Sequence, residues 1–324
     1  MYKIMVTGGS SMIGRPVVEI LRAAGHIVDA VPHSECDLLS YNQTYNRIVN
    51  FGPNYIMHLA GWNGGISWNK QYPAEIYFRT VQMALNVYRA AVESKYGISK
   101  ILGVMASCSY PNDESKYASQ TDGYYEEHSI HDGKPNSSVE CHGLAKRVIF
   151  DYGRQVNLQH GIKCVAAILT NSFGPFDSYH PEKTKVVGAL IRKFVEARDS
   201  NLPEVTCWGS GRPKRQLIYS KDAAKILIDL LFKYDNHFLP INVGSPFEYE
   251  ISIFDLTRKI ANLVGYKGNI LWDTNKQDGQ MRKFISVDRL NMVTKPVYTP
   301  LDDALAETIE WYTSNKEIAD GKTF

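Results

Sequence analysis

The 324-residue chain has few cysteines, little net charge and no long apolar run. Its five cysteines are odd in number and no two form a C-x-x-C pair, which argues against a disulfide framework and against a zinc site. No apolar stretch approaches the roughly twenty residues that a membrane-spanning helix needs. The formal net charge of +2 gives no reason to expect nucleic acid or a membrane as a partner.

The composition is otherwise that of an ordinary soluble globular protein, with 44% apolar and 22% charged residues. A strand-like run begins already at Lys3, which leaves no room for a secretory signal. We therefore expect a cytoplasmic protein whose cysteines are reduced thiols and which holds no metal.

Strand-like apolar runs alternate with helical patterns in the first half of the chain. The predicted strands are Tyr2–Thr7, His26–Val31, Asn54–Ala60, Ile101–Ser107 and Lys163–Leu169. The predicted helices are Arg15–Ala24, Pro73–Glu93 and Gly143–Gln159, with a loop at Gly61–Ser67. This alternation predicts an α/β fold of the Rossmann type, a doubly wound parallel sheet with helices on both faces.

After Asn171 glycine and proline become frequent and the loops lengthen. A strand–helix–strand pattern returns at Leu217–Gly244, and Ile253–Val264 and Leu301–Asn315 have the period of amphipathic helices. We predict a dinucleotide-binding domain over residues 1–169 that returns at 217–245. A smaller C-terminal α/β substrate domain is predicted over residues 170–216 and 246–324.

The connection between the first strand and the first helix, V-T-G-G-S-S-M-I-G, consists of small residues. Glycine in such a turn lets backbone amides and the helix N-terminus approach a pyrophosphate, although a tight turn without a ligand has the same pattern. The candidate cofactor-binding residues in the turn are Gly8, Ser10, Ser11, Met12, Ile13 and Gly14.

The end of the second strand indicates which dinucleotide is bound. A carboxylate there favours NAD, because it binds the ribose hydroxyls and repels a 2′-phosphate. Asp29 falls inside the predicted strand, and His33 and Ser34 follow its end, where they could face a phosphate. The sequence therefore favours NADP(H).

Segments in order along the chain resemble one known family. They are HLAGWNGGISWNKQYP at 58–73, SCSYP at 107–111, TNSFGP at 170–175, GALIRKF at 188–194, WGSGRPKRQLIY at 208–219, NVG at 242–244, GYKG at 265–268 and DGQMRKFISVDRL at 278–290. Together they resemble the GDP-L-fucose synthase family of extended short-chain dehydrogenases/reductases over essentially the whole chain. The resemblance implies NADP(H)-dependent chemistry on a GDP-linked keto sugar, with further cofactor contacts from Leu59, Ala60 and Gly61.

The resemblance also implies a set of substrate-binding residues. Arg215 matches an arginine on the diphosphate, for which a guanidinium offers paired donors. The other matches are Asp278 and Lys283 near the nucleoside and its phosphates, Lys193 on the nucleotide, Trp208 near the sugar and Asn171 beside the sugar ring. The alternatives are a surface arginine at Arg215, a core tryptophan at Trp208, which explains that residue equally well, and a turn-forming amide at Asn171.

Two of the three residues with which the family reduces its ketone are changed. Lys146 matches the lysine of the family's Y-x-x-x-K motif, but His142 takes the place of the tyrosine. Ala106 takes the place of the hydroxyl that polarises the carbonyl oxygen. Ser107 is the neighbouring hydroxyl, although adjacent side chains on a strand face opposite ways. His142 is the candidate proton donor, since imidazole titrates near neutrality.

The family also epimerises two sugar carbons with a cysteine and a histidine. Cys108 matches the cysteine, whereas Lys185 takes the place of the histidine. An ammonium is a poor base unless it is desolvated, so we expect epimerisation to be weakened or lost. Three functions stay open: a GDP-sugar reductase, a GDP-sugar-binding protein with little or no catalysis, and an epimerase or dehydrogenase with a tightly held cofactor.

Two further expectations concern assembly and sugar choice. In relatives the helix Pro73–Glu93 and the helix that carries Lys146 pair between subunits, which implies a homodimer. Burial within one chain explains the same apolar stripes. The loop Ser109–Ser138, with Tyr124, Tyr125, His128 and His131, is expected to lie near the sugar and to influence which sugar is accepted.

Overall fold

The computed structural model describes residues 1–112, 123–276 and 278–321. Its strands are β1 (Lys3–Thr7), β2 (Ile27–Asp29), β3 (Tyr55–His58), β4 (Lys100–Ala106), β5 (Tyr124–Tyr125), β6 (Lys163–Leu169), β7 (Asn171–Phe173), β8 (Glu204–Trp208), β9 (Lys214–Tyr219), β10 (Ile241–Val243), β11 (Glu250–Ser252), β12 (Asn269–Asp273) and β13 (Phe284–Ile285). Its helices are α1 (Gly14–Ala23), α2 (Tyr41–Phe51), α3 (Ile66–Gln71), α4 (Pro73–Glu93), α5 (Glu140–His160), α6 (Val186–Asp199), α7 (Ser220–Lys233), α8 (Ile253–Val264), α9 (Asp288–Val293), α10 (Leu301–Ser314) and α11 (Lys316–Gly321).

The central sheet is parallel, with the strand order β10-β6-β4-β3-β1-β2. Successive side chains of β1 point to opposite faces, so Ile4 and Val6 pack on the side of α1 and α7. Met5 packs on the other side, in the core shared with α2, α4 and α5. Helices therefore cover both faces of the sheet, which confirms the predicted Rossmann-type α/β fold.

A separate apolar core lies in the C-terminal part of the chain. Helices α6, α8 and α10 contribute Phe194, Leu256, Ile260 and Tyr312 to it, each fully buried. Two small sheets adjoin these helices, one with the order β11-β9-β7 and one formed by β12 and β8.

The segment 217–245 divides between the two cores. Strand β9 pairs with β7 and β11, whereas α7 packs on α1 and β10 forms an edge of the central sheet. Only α7 and β10 thus return to the central sheet. The domain boundaries drawn from the sequence stay a prediction.

Several predicted boundaries were wrong. Strand β2 ends at Asp29 and β4 at Ala106, and α5 begins at Glu140. Helix α2 was missed although its ends are well marked, because the Ser40 side chain accepts a hydrogen bond from the Gln43 amide and Gly52 closes the helix with a φ of +62°. Helix α3 begins inside the predicted loop Gly61–Ser67.

Nowhere in the described segments is a helix both long and apolar enough to cross a bilayer. Over the same residues, no group of three or more His, Cys, Asp or Glu side chains is arranged to hold a metal ion. Each of the five cysteines carries a free thiol. The cytoplasmic location stays a prediction.

Candidate active site

The glycine turn lies where the strand order of the sheet reverses. β1 pairs with β2 on one side and with β3 on the other, and open α/β sheets bind ligands outside the carboxyl ends of their strands at such a point. Gly8, with a φ of +71°, follows β1, and a Cβ there would lie 3.0 Å from the Ala60 amide nitrogen. The fold thus brings the predicted turn together with the predicted segment Leu59–Gly61, while a Cβ at Gly14 would collide with the Gly8 carbonyl oxygen.

Ser11, which replaces the middle glycine of the family pattern, forms hydrogen bonds within the turn. Its Oγ accepts a hydrogen bond from the Gly14 amide at 3.0 Å, and its own amide donates to the Gly8 carbonyl at 3.0 Å. The amides of Met12 and Ile13 have no acceptor among the described residues and stand at the start of α1. Ser11 therefore takes up one amide of the turn and leaves two that fit a phosphate.

Asp29 is the last residue of β2, not an interior residue as predicted. Arg47 on α2 binds its carboxylate with Nε at 2.8 Å and Nη2 at 2.7 Å, and binds Glu35 through Nη1 at 2.9 Å. His33 is exposed in the turn that follows β2. Because Arg47 pairs with the carboxylate, the end of β2 presents no unpaired negative charge from Asp29.

A cavity of about 810 Å³ opens between the central sheet and the C-terminal core. Its volume is within the usual range for a ligand pocket. Most of the predicted catalytic and substrate-binding residues line it: Ser107, Cys108, His142, Asn171, Lys185, Lys193, Trp208, Arg215, Asp278 and Lys283.

The predicted nucleotide residues are held by backbone contacts in the C-terminal core. Arg215 Nη1 donates to the Gln280 carbonyl at 2.8 Å, and Lys193 Nζ donates to the Thr206 carbonyl at 2.7 Å. Trp208 is 68% exposed, so it is not a core tryptophan.

Two polar side chains at the same cavity differ in how far their bonding is satisfied. Asp278 accepts hydrogen bonds from the Ser210 hydroxyl at 2.6 Å and its amide at 2.9 Å, and these bonds lower the pKa of the Asp278 carboxyl. Asn171 Nδ2 is buried and has no hydrogen-bond partner among the described residues. The Asn171 amide is therefore a donor available to a ligand.

Helix α5 carries the two residues that match or replace the reducing motif, four residues and thus about one turn apart. Lys146 Nζ donates to the Val104 carbonyl at 2.9 Å, and a Cβ at Gly61 would lie 3.1 Å from this nitrogen. His142 Nδ1 lies 3.1 Å from Cys108 Sγ and 3.2 Å from Asn63 Nδ2. A lysine beside the cofactor segment and an imidazole at the cavity wall therefore stand on one helix face.

The charge states in this cluster follow from burial. Burial lowers the pKa of His142 well below 6.5, and the charges of Lys146, Lys185 and Lys283 lower it further. The imidazole is thus neutral at pH 7, which corrects the expectation that it titrates near neutrality. Burial raises the pKa of the Cys108 thiol against the opposing effect of the same three lysines. Burial also lowers the pKa of Lys146, to about 8.

The candidate polarising hydroxyl and the epimerisation residues lie just after β4 and just before α6. β4 ends at Ala106 and a 3₁₀ turn begins at Ser107, so strand alternation no longer applies and Ala106, Ser107 and Cys108 all line the cavity. Lys185 immediately precedes α6 and is exposed, so the protein alone does not desolvate it. Lys185 therefore lacks the desolvation that an ammonium needs in order to act as a base.

The loop Ser109–Ser138 lines the cavity with other residues than expected. Residues 113–122 of this loop lie outside the described part of the chain. Tyr125 is fully buried and stacks on Tyr110, and His131 pairs with Asp151 at 3.1 Å. Tyr124 stacks on Phe284 and His128 pairs with Glu126, so none of the four predicted side chains lines the described cavity wall. Asn136 and Ser138 line it instead.

Sequence reasoning missed Asn63. This residue lies in the segment 58–73 that resembles the family, directly before Gly64 and Gly65. Nothing in its local pattern indicates a contact with His142, 79 positions away. Only the packing of the β3–α3 connection against α5 brings its amide to His142.

A Rossmann sheet, a glycine turn at the strand-order reversal and a buried lysine on α5 beside a large cavity define an extended short-chain dehydrogenase/reductase. Residues 4–244 match the sequence model of the NAD dependent epimerase/dehydratase family, and the chain belongs to this family. It is 32% identical to the GDP-L-fucose synthase of Dictyostelium discoideum over 98% of this chain and 97% of that protein.

Two other relatives agree with this placement. The chain is 27% identical to the GDP-L-colitose synthase of Yersinia pseudotuberculosis, over 97% of this chain and 99% of that protein. The crystal structure of a GDP-L-fucose synthetase from Naegleria fowleri bound to NADP superposes with a TM-score of 0.87 at 28% identity, covering 98% of this chain and 96% of that one.

Proposed function

We propose that the protein reduces the C4 ketone of a GDP-linked 4-keto sugar with NADPH. The observation that carries this proposal is a single cavity lined both by Arg215 and Lys283 and by Ser107 and His142, with Lys146 one turn along the same helix. The names of the relatives support GDP as the nucleotide and NADP as the cofactor.

The residues at the sheet reversal fit the proposed cofactor. Amides of Met12 and Ile13 would hold its pyrophosphate, and the exposed His33 lies after β2 where a 2′-phosphate would bind. The Lys146 ammonium, beside Gly61, would bind the ribose next to the nicotinamide. When bound, the cofactor supplies a hydride to the ketone carbon.

The chain's own groups would bind and polarise the substrate. The Arg215 guanidinium would hold the diphosphate, and the unpartnered Asn171 amide would bind a sugar hydroxyl. Ser107, at the end of β4, would donate to the ketone oxygen in place of the hydroxyl lost at Ala106. His142 would donate the proton that the developing alkoxide needs.

We propose further that epimerisation is weakened or lost. Cys108 lines the cavity, but the exposed Lys185 ammonium takes the place of the second acid-base group. A substrate that arrives already in its final configuration at the carbons beside the ketone would need neither residue for proton exchange.

Two alternative functions can be distinguished from the proposed reduction by experiment. The changes at His142 and Ala106 favour a GDP-sugar-binding protein with little catalysis, and the retained Lys146 and Cys108 leave room for an epimerase or dehydrogenase with a tightly held cofactor. A binding protein, or an epimerase that regenerates its tightly held cofactor in each turnover, predicts no net consumption of NADPH.

The test mixes the protein with NADPH and, in separate reactions, GDP-4-keto-6-deoxy-D-mannose and the same keto sugar already epimerised at the carbons beside the ketone, and follows the nicotinamide absorbance. We expect consumption that is lost in His142→Ala and kept in His160→Ala, a control at the exposed end of the same helix. Tight GDP binding by calorimetry without NADPH consumption would support the binding protein. Exchange of sugar protons with deuterated water that is lost in Cys108→Ala would instead show that epimerisation persists.

We also propose a homodimer formed through α4 and α5. Val87, Ile149 and Phe150 are used in the core, but Tyr77 and Phe78 on α4 are 42% and 60% exposed. Sedimentation velocity of the parent and of Phe78→Glu tests this, since a charge in the contact should convert a dimer to a monomer. A parent that sediments as a monomer excludes the proposal.

A further inference from the structure

Two asparagine side chains form a hydrogen-bond chain that ends on the ring of His142. Asn69 Nδ2 lies 2.9 Å from the carbonyl oxygens of both Gly64 and Gly65. Because a carbonyl can only accept, this atom donates, and its third contact, at 2.9 Å, is therefore the oxygen of Asn63. The Asn63 amide nitrogen consequently faces His142 Nδ1 at 3.2 Å as a donor.

The direction of this chain fixes the tautomer of the neutral imidazole. Nδ1 of His142 is an acceptor with one lone pair, and the Asn63 amide at 3.2 Å and the Cys108 thiol at 3.1 Å share it as donors. The ring proton therefore resides on Nε2. Nε2 has no partner among the described residues, and His142 lines the cavity, so the ring presents an N–H donor to a ligand.

A neutral imidazole donates its proton easily only if another proton replaces it. Loss of the Nε2 proton alone would leave an imidazolate anion, which the buried site does not favour. The one acidic group at the opposite nitrogen is the Cys108 thiol. Burial raises the pKa of this thiol, whereas the charges of Lys283, Lys185 and Lys146 act in the opposite direction and favour the thiolate that forms as the proton leaves.

We propose that Cys108 is the proton source for ketone reduction, that His142 relays its proton, and that Asn63 is a positioning residue that holds the ring in the Nε2–H form. The inference rests on the proposed function. As the hydride, with its two electrons, reaches C4 of the sugar, the ketone oxygen takes the proton of His142 Nε2. His142 Nδ1 takes the proton of Cys108 in the same step while its hydrogen bond from the Asn63 amide breaks, so the ring stays neutral and the negative charge ends on sulfur.

The resting state is regained with one proton from water. Water protonates Nε2 after the alcohol product leaves, and the Nδ1 proton returns to the Cys108 thiolate. The net reaction consumes one hydride and one solvent proton for each ketone. A Cys108–His142 pair thereby replaces the single tyrosine that the resemblance led us to expect on α5.

A double-mutant cycle with His142→Tyr tests the relay, because a tyrosine hydroxyl carries its own proton. With GDP-4-keto-6-deoxy-D-mannose, we expect Cys108→Ala to lower NADPH turnover about 100-fold in the parent, the size of a general-acid contribution. In the His142→Tyr background the same change should cost less than about threefold, since no thiol proton is then needed. Any contribution of Cys108 to proton exchange at the sugar carbons occurs in both backgrounds and cancels.

Equal losses in the two backgrounds would overturn the relay. Cys36→Ala, at a buried thiol outside the cavity lining and outside the hydrogen-bond chain to His142, should leave turnover unchanged in both. The midpoint of thermal unfolding of each variant separates loss of chemistry from loss of fold.

A measurement without cofactor or substrate decides the positioning role. Two-bond ¹H–¹⁵N correlations of His142 in the free protein should show the proton on Nε2, and Asn63→Ala should shift population to the Nδ1–H form. A proton on Nδ1 in the parent refutes the relay even if His142→Tyr proves inactive. A parent that consumes no NADPH refutes the proposed reduction instead, whatever the tautomer.

Discussion

We expect Lys146 to lower the stability of the folded protein, because its ammonium is buried without a carboxylate partner among the described residues. It is 5% exposed, its hydrogen bond goes to the Val104 carbonyl, and burial lowers its pKa from 10.5 to about 8. The unfolded chain therefore holds this proton more tightly than the folded one. The resulting penalty on folding is full below about pH 8 and disappears as the pH rises towards 10.5.

The difference between 10.5 and about 8, at about 1.4 kcal/mol per pKa unit, amounts to about 3 kcal/mol. Lys146→Met removes this penalty but leaves the Val104 carbonyl without its donor, which costs about 1 kcal/mol. We therefore expect Lys146→Met to raise the free energy of unfolding at pH 7 by about 2 kcal/mol while it abolishes NADPH turnover. For a chain of this length the unfolding temperature should rise by about 3 °C.

Urea unfolding of the cofactor-free protein at pH 7 and pH 10 measures the effect, and the gain should vanish by pH 10. Lys100→Met is the matched control, because Lys100 is equally buried but pairs with Asp235 at 2.7 Å and with the Leu231 and Tyr234 carbonyls. Its removal should destabilise the protein by about 2 kcal/mol, because the Leu231 and Tyr234 carbonyls lose their donor. A Lys146→Met protein that is less stable than the parent at pH 7, or whose gain persists at pH 10, would refute the reasoning.

Three further substitutions probe other parts of the molecule. Arg215→Lys should weaken GDP binding about tenfold or more in calorimetry, because paired donation to phosphate is lost, and unchanged affinity would exclude Arg215 from the diphosphate site. Gly14→Ala should lower NADPH affinity and stability together, since its Cβ would collide with the Gly8 carbonyl, and normal values of both would contradict that contact. Phe194→Ala should cost about 3–5 kcal/mol in urea unfolding, and a loss below about 1 kcal/mol would show a loosely packed C-terminal core.

Local signals explain why some elements were predicted residue for residue. Pro73 stands at the first turn of α4, and Gly265, with a φ of +81°, follows the last turn of α8. These residue types therefore predict where α4 begins and where α8 ends. The continuous apolar run of β6 predicts a strand buried on both faces. Helix α2 has a Ser40 cap and a closing Gly52 but is mostly polar, with Ile48 as its buried apolar residue, and it was missed.

The candidate site divides in the same way. The four-residue spacing of His142 and Lys146 on one helix is a local property, and so is the glycine turn before α1. The contact of His142 with Asn63 and Cys108 joins three segments far apart in the chain. The charge state of the His142 imidazole depends on its burial and on three lysines from separate segments, which no local pattern reports.

The amino-acid order by itself determined the alternating strands and helices, the turn that suits a pyrophosphate and the family to which the chain is similar. These follow from short-range rules, since hydrophobic period, caps and turn residues act over a few positions. Tertiary structure alone decided that Asp29 is neutralised by Arg47, that Ser107 leaves the strand to line the cavity, and that His142 is a neutral donor. Desolvation and hydrogen-bond direction arise only when distant segments pack together, and for that reason they could not be derived from the sequence.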